Sequence, residues 1–466
     1  MKVAMAKLVQ TLCEPQAIWS IIFQSPGAFV TCEHESLLLF SSGGDVCVEK
    51  KNLCRVLKRS KRIELAHPTF HISEEEEDKN GHRNLKTPIP SGKVSGMKRL
   101  LGGRGARLCL ALLLLFRHWL LGSSACPCEQ PALCQPISSQ CDFEVFVFDI
   151  GGKTWKFYDW AQITTVATFG NYDPELICYA HSKGSRVVLK GNISVKEILK
   201  PTVRTAWIKQ KISLAKDQYM DGINIDIEQK VKKSSAEYYA LTALVKETTE
   251  MFHKEIPGSQ VTFDVPWSPK CIDSRCYNYT GIADSCDFLF VMSYDEQSPL
   301  WSNCIAGANA PYKQTLGGYD YYIRKGINPK KLVMGVPWYG YDYICSKLRK
   351  DHICLFAKNV FPGTPCNNVS IRQAPYRIIM TLEKTSTSGI LWDEKQKAPF
   401  LEYKDSKGAF HQLWFDNAKS VSLKAAYAKE HGLKGIGMWN ANCLDYSASV
   451  AAQQQTEAMW KALKGA

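Results

Sequence analysis

The stretch Asp221-Gly-Ile-Asn224-Ile-Asp226-Ile-Glu228 sets an amide and two carboxylates at alternate positions with isoleucine between them. Side chains alternate faces along a strand, so Asn224, Asp226 and Glu228 share one face and Ile223, Ile225 and Ile227 the other. An isoleucine face of this kind packs under helices, and the polar face then points into whatever the strand encloses. Three stacked polar groups are costly to bury without partners. Two carboxylates held together can divide the roles of general acid and charge stabiliser. A buried hydrogen-bond network or a metal site would use the same residue types, although the segment has no histidine and its spacing is not that of a calcium loop.

The elements that must position these groups show in the rhythm of the chain past residue 140. Runs rich in β-branched and aromatic residues recur at 143–150, 164–170, 186–190, 222–228, 260–267, 288–295, 331–338 and 435–440. Several are almost continuously apolar, as strands buried on both faces are. Helical patterns at 203–219 and 235–253 flank the fourth run. In the second of these Tyr238, Leu241, Leu244 and Val245 fall at helical spacing, with Ser234 or Ser235 as N-cap. Strands alternating with helices predict a parallel sheet, and eight units predict an α/β chain folded as a (β/α)8 TIM barrel. Residues 341–412, between runs seven and eight, hold Cys, Pro, Gly and short strand-like pieces at 389–392 and 400–403. They read as a small insertion beside the barrel top. Such barrels gather their chemistry at the C-terminal ends of the strands, where run four carries its polar face.

The Asp-x-x-x-x-Asp-x-Glu pattern at that point resembles the signature of family-18 glycoside hydrolases, the chitinase-like barrels. Met292-Ser-Tyr294-Asp295 resembles the family's strand-six motif, and Gly335-Val-Pro337-Trp-Tyr339-Gly340 its strand-seven motif. Trp439 stands where the family keeps a strand-eight tryptophan. The resemblance covers about residues 143–460. It implies substrate-assisted, retaining hydrolysis of GlcNAcβ1-4GlcNAc that releases the reducing-end GlcNAc of free N-linked-type oligosaccharides. Glu228 is then the acid and base, Asp226 holds the acetamido N–H, and Tyr294 steers the acetamido carbonyl. Trp439 floors the reacting sugar, Asn224, Met292, Asp295 and Tyr339 complete the substrate site, and Asp221 supports it. No cofactor and no metal are implied. An ordinary chitinase and a chitin-oligosaccharide-binding lectin are the alternatives; the retained Glu228 argues against the lectin.

Three positions depart from the family pattern. Asn224 replaces the usual aspartate, which predicts a singly ionised site and an altered pH profile. Tyr341 follows the strand-seven Tyr-Gly where many relatives have arginine. Run three reads Lys190-Gly191-Asn192 instead of Ser-x-Gly-Gly.

Charge and cysteine usage describe the rest of the chain. Of 466 residues, 58 are Lys or Arg and 45 are Asp or Glu. The 97–125 segment carries 5 basic residues and no acidic one. Without it the excess is mild and shows no basic stripe with interleaved aromatics, so nucleic acid is not the expected partner. Basic residues, an apolar core at 108–116 and small residues up to Ala125 give 97–125 the order of a secretory signal peptide. Met97 is the expected initiator and residues 1–96 an extension, disordered and without a catalytic motif. The domain proper is then 126–466, a monomer with no membrane segment once matured. Thirteen of the 18 cysteines lie from residue 126 onward. Cys271/Cys276 and Cys345/Cys354 are close enough to bridge short loops in an oxidising compartment. Cys126-x-Cys128 could instead bind metal, but no matching pair with histidines follows. Sequons at Asn192, Asn278 and Asn368 agree with passage through the secretory pathway. The expected destination is the lysosome, with secretion as the alternative.

Overall fold

The computed structural model describes the strand backbones at 29–33, 36–40, 46–50 and 53–57, and residues 125–138, 141–297, 304–357, 366 and 370–465. The 97–124 part of the expected signal peptide and the Asn368 sequon lie outside the described residues. The chain divides into two units, Met1–Arg99 and Leu100–Ala466. In the first unit, Phe29–Glu33, Ser36–Phe40, Val46–Lys50 and Leu53–Leu57 pair as an antiparallel meander. These four strand backbones fall within the expected 1–96 extension. Their Val, Leu and Phe content suits paired strands, and the breaks between them are short enough for hairpins.

The second unit is built on a closed parallel barrel. Its strands are β1 (Glu144–Asp149), β2 (Thr165–Thr168), β3 (Arg186–Gly191), β4 (Gly222–Ile225), β5 (Gln260–Pro266), β6 (Phe288–Met292), β7 (Leu332–Pro337) and β8 (Gly435–Trp439). All eight expected runs are strands. Helices follow as expected, except that only a single turn, Thr154–Phe157, separates β1 from β2. The helix after β4 spans Ala236–Glu255, and the Ser235 side chain accepts the Tyr238 N–H as its N-cap. No helix among the described residues is long and apolar enough to cross a membrane.

Three phenylalanines fill the middle of the barrel. Phe146 and Phe148 on β1 meet Phe290 on β6 with ring centroids 5.6 Å and 4.8 Å away. The neighbouring strands β7 and β8 make room with glycine at positions 335 and 437. A Cβ on Gly335 would come within 2.6 Å of the Phe290 ring and one on Gly437 within 2.9 Å. A methyl group at either place would overpack the core, at about 1–3 kcal/mol. This apolar plug lies below the mouth, so the polar residues above it stand on a packed floor.

Between β7 and β8 the chain builds an antiparallel sheet. Tyr339–Leu348 pairs with Cys354–Phe356, Ile371–Pro375 and Phe410–Trp414. Ala398–Lys404 then joins Phe410–Trp414 to Ile390–Asp393. The Cys345–Cys354 and Cys304–Cys366 disulfides tie it.

The other end of the barrel is sealed by a strap. Residues 125–138 are held by the Cys126–Cys134 and Cys128–Cys178 disulfides. Cys126, Cys128 and Cys134 therefore spend their sulfurs on disulfides. Asp221, just before β4, accepts the Ile137 and Val187 N–H groups and faces His181 Nε2 at 2.8 Å. His181 Nδ1 lies 2.6 Å from the Leu133 carbonyl oxygen. Both ring nitrogens thus face acceptors, and both bonds form only when each nitrogen carries hydrogen. Burial pulls the His181 pKa down, but hydrogen bonding and attraction to Asp221 outweigh it, and the net shift is upward. A raised folded-state histidine pKa stabilises the fold fully below the ordinary histidine value. That stability is lost as pH rises through the folded value. His181→Asn should cost about 3 kcal/mol at pH 5 and clearly less at pH 8, read from thermal unfolding across that range. A deficit that does not change with pH would contradict a charged His181.

Candidate active site

β4 ends at Ile225, but its alternation continues two steps further. Ile223, Ile225 and Ile227 are fully buried, Asn224 is buried below the mouth, and Asp226 and Glu228 rise above it. Asp226 keeps one ladder bond, from its N–H to the Gly191 carbonyl at 2.8 Å. Beyond it a side chain takes over from the sheet. The Tyr277 hydroxyl lies 2.8 Å from the carbonyl oxygens of both Ile227 and Gln229. The backbone on either side of Glu228 is therefore fixed without a neighbouring strand.

Each carboxyl of the mouth has its own partner. Asp226 pairs with Lys190 of β3 at 3.1 Å. Glu228 Oε2 pairs with Arg275 Nη1 at 2.7 Å, and 55% of the Glu228 side chain stays exposed. Asp264 of β5 is buried and accepts the Asn224 amide N–H at 2.8 Å; that amide also donates to Thr262 Oγ1. Asp295 accepts the Tyr339 and Tyr341 hydroxyls through one oxygen, at 2.5 Å and 2.6 Å. Its φ of 56° lies in the left-handed region. This sparsely populated conformation is held by the Asn309 side chain, which accepts the Asp295 N–H at 2.7 Å.

These surroundings set the proton affinities. Partial burial, and secondarily the charge of Asp226, raise the Glu228 pKa, and Arg275 pulls against them. Burial and Asp226 push Asp264 well up, and the Asn224 hydrogen bond opposes this. Burial also raises Asp295, against the two tyrosine hydrogen bonds. Tyr294 is held well above its ordinary value by burial and then by Asp264, so its hydroxyl keeps its proton. Among the described residues that hydroxyl takes no hydrogen bond.

The mouth brings together Asn224, Asp226, Glu228, Tyr294, Asp295 and Tyr339. Met292 at the end of β6 and Trp439 at the end of β8 are half-buried. Trp439 packs edge-on against Phe148 and Phe169 with centroids 5.3 Å and 5.4 Å away. A cleft of about 720 Å³ opens past the ends of β1 and β2, bordered by Asp149, Lys153, Phe169, Asn171 and Tyr172. None of the mouth carboxyls lines this cleft, and Phe169 connects it to Trp439. Asp221 is not part of the mouth; it lies at the opposite end of β4, in the strap. Of the sequons, Asn192 is exposed just past β3, while Asn278 is half-buried and caps the following helix through Gly281 N.

Sequence reasoning missed Asp264, Arg275 and Tyr277. Asp264 had a signal, because Gln260, Thr262 and Asp264 alternate as Asn224 and Asp226 do. Arg275 had none beyond its place between two closely spaced cysteines. The unusual Lys190 and Tyr341 are accounted for by the carboxylates they touch.

The sequence profile of Glycosyl hydrolases family 18 matches residues 145–443. The chain is 67% identical to a Mus musculus protein described as di-N-acetylchitobiase, over 76% of this chain and 96% of that one. It is 66% identical to the Homo sapiens di-N-acetylchitobiase, over 74% and 90%. Among solved structures, a class V chitinase from Nicotiana tobaccum superposes with a TM-score of 0.54 at 19% identity, over 68% of this chain and 98% of that one.

Replacing Asn224 by Asp would set two carboxyls in contact where Asn224 now donates to Asp264. They could not both ionise, so one pKa would rise further. The cost of such a raised carboxyl is absent below its unfolded pKa and grows as pH climbs toward the folded value. Asn224→Asp should match the parent's unfolding temperature near pH 4, lose on the order of 2 kcal/mol by pH 7, and show a moved pH–rate curve. An unmoved curve with a pH-independent stability would contradict the assigned contact.

Proposed function

The chain belongs to glycosyl hydrolase family 18, and from that membership we propose that it hydrolyses GlcNAcβ1-4GlcNAc at the reducing end of free N-linked-type oligosaccharides. The observation that carries the reading is Glu228. It is a carboxyl held at the open mouth with a raised pKa, beside an aspartate paired with a lysine. The high identity to proteins described as di-N-acetylchitobiase supports the substrate class.

In the proposed reaction the Glu228 proton passes to the glycosidic oxygen. The substrate's acetamido carbonyl oxygen attacks the anomeric carbon as the bond to the leaving sugar breaks. Asp226 accepts the acetamido N–H and stabilises the positive charge of the oxazolinium intermediate. Tyr294, a buried hydroxyl that keeps its proton, donates to the acetamido oxygen and aims it. Water then gives a proton to the Glu228 carboxylate and hydroxide to the anomeric carbon, reopening the ring. No carboxylate nucleophile is needed, unlike the two-carboxylate scheme. Trp439 offers an apolar ring beneath the reacting sugar, Met292, Asp295 and Tyr339 line its surroundings, and the cleft beyond Phe169 has room for the non-reducing remainder.

Glu228 works as an acid only while protonated, so activity falls as pH rises through its pKa. Acidic surroundings suit it. With the five disulfides among the described residues of the second unit and the basic-apolar-small order of residues 97–125, this supports delivery through the secretory pathway to the lysosome.

Residues 126–466, produced by secretion, should release free GlcNAc from an oligosaccharide ending in GlcNAcβ1-4GlcNAc at acidic pH. Glu228→Gln should cut kcat by about 10²–10⁴-fold while still binding the substrate. Absence of GlcNAc release with binding intact would favour a lectin.

A further inference from the structure

We propose that Arg275 is a positioning residue for the acid: it anchors one oxygen of Glu228, leaves the other to carry the proton, and sets the upper pH limit of activity. The inference rests on the reading of Glu228 as the acid. Arg275 lies on the loop between β5 and the helix Tyr279–Ser285. The Cys271–Cys276 disulfide closes that loop. Cys271, Asp273 and Ser274 all sit in the left-handed region, at φ 56°, 50° and 65°. Three such non-glycine residues persist only where the surroundings over-determine them.

The restraints converge on the acid. The Val231 N–H donates to the Ser274 carbonyl at 3.0 Å, and the Cys276 N–H to the Val231 carbonyl at 3.0 Å. The loop is thereby fastened to the segment just past Glu228. Tyr277 from the same loop brackets the Glu228 backbone, and the Tyr279 hydroxyl donates to the Arg275 carbonyl. The Arg275 side chain is only 10% exposed and divides its nitrogens, Nη1 to Glu228 Oε2 and Nη2 to Asp273 Oδ2. A guanidinium on one carboxylate oxygen leaves Oε1 as the atom that can hold and deliver a proton. It also steadies the anion left after delivery, which must next act as base.

The other charged or titratable groups acting on Glu228 do not offer this. Asp226, just past β4, and Asp295, just past β6, raise its proton affinity, Glu228 in turn raises that of Asp264 on β5, and Tyr277 and Tyr294 are neutral. Lys190 is committed to Asp226. Arg275 is the cation that opposes the carboxylates.

The test is the pH dependence of kcat/KM on an oligosaccharide ending in GlcNAcβ1-4GlcNAc, for the parent, Arg275→Met, Arg275→Lys and Asp273→Asn. Arg275→Met should move the basic limb up by about one pH unit, and Arg275→Lys should return it toward the parent. Asp273→Asn removes an anion from Arg275 at an exposed position, and it should move the limb the opposite way, downward. Should Arg275→Met not fold, the lysine and Asp273 variants still decide the matter. Limbs that stay at the parent's pH in the folded variants, with activity lowered equally at all pH values, would overturn the proposal and leave Arg275 a structural residue. An inactive parent enzyme would instead overturn the reading of Glu228 on which it rests.

Discussion

Four carboxyl groups crowd the mouth of one barrel, and mutual repulsion between them would raise every pKa and open the mouth unless each met a partner. The partners differ in kind, and that difference distributes the roles. Asp226 has a lysine, Glu228 an arginine, Asp264 a neutral amide, and Asp295 two phenolic hydroxyls. A cation favours the ionised carboxylate, while burial beside another anion favours the proton. Glu228 feels both influences while open to solvent, and it is the one of the four in direct contact with the Arg275 guanidinium. The phenylalanine plug beneath, with glycines on the strands beside it, gives these groups a close-packed floor.

The same balance makes sense of two departures from the family pattern. An aspartate at position 224 would have added a fifth carboxyl to the cluster; asparagine gives the buried Asp264 a donor instead. Lysine at position 190 brings a positive charge to within 3.1 Å of Asp226. Away from the mouth, Glu296 is pushed up to about 8 by burial, and its carboxyl faces Thr315 Oγ1 at 2.7 Å. His181 at the far end favours its charged form.

Much of this was legible in the residues. The eight strands announce themselves because strands covered on both faces must be apolar nearly throughout, and Asn224, Asp226 and Glu228 stand out as polar exceptions at period two. Strand ends were less legible. β4 stops at Ile225 because a tyrosine hydroxyl from another loop replaces ladder bonds, and no local pattern encodes that. Asp221 belongs to the same motif in sequence, yet the length of β4 carries it to the strap. Arg275 reaches Glu228 from a disulfide-closed loop with residues in left-handed conformations. That is a property of tertiary closure rather than of periodicity. The antiparallel sheet between β7 and β8 showed only as fragments, because the pairings of Tyr339–Leu348 with Ile371–Pro375 and Phe410–Trp414 join segments dozens of residues apart.

The central claim is that the substrate's own acetamido group, not a directly attacking water, displaces the leaving sugar. The most direct measurement is proton NMR of the first minutes of hydrolysis of a GlcNAcβ1-4GlcNAc substrate, resolving the anomer formed at the cleaved position before mutarotation. Attack by the acetamido oxygen followed by water inverts the centre twice, so the β-anomer should appear first. An initial α-anomer would mean direct displacement by water, and the arrangement of Asp226, Glu228 and Tyr294 would need another explanation.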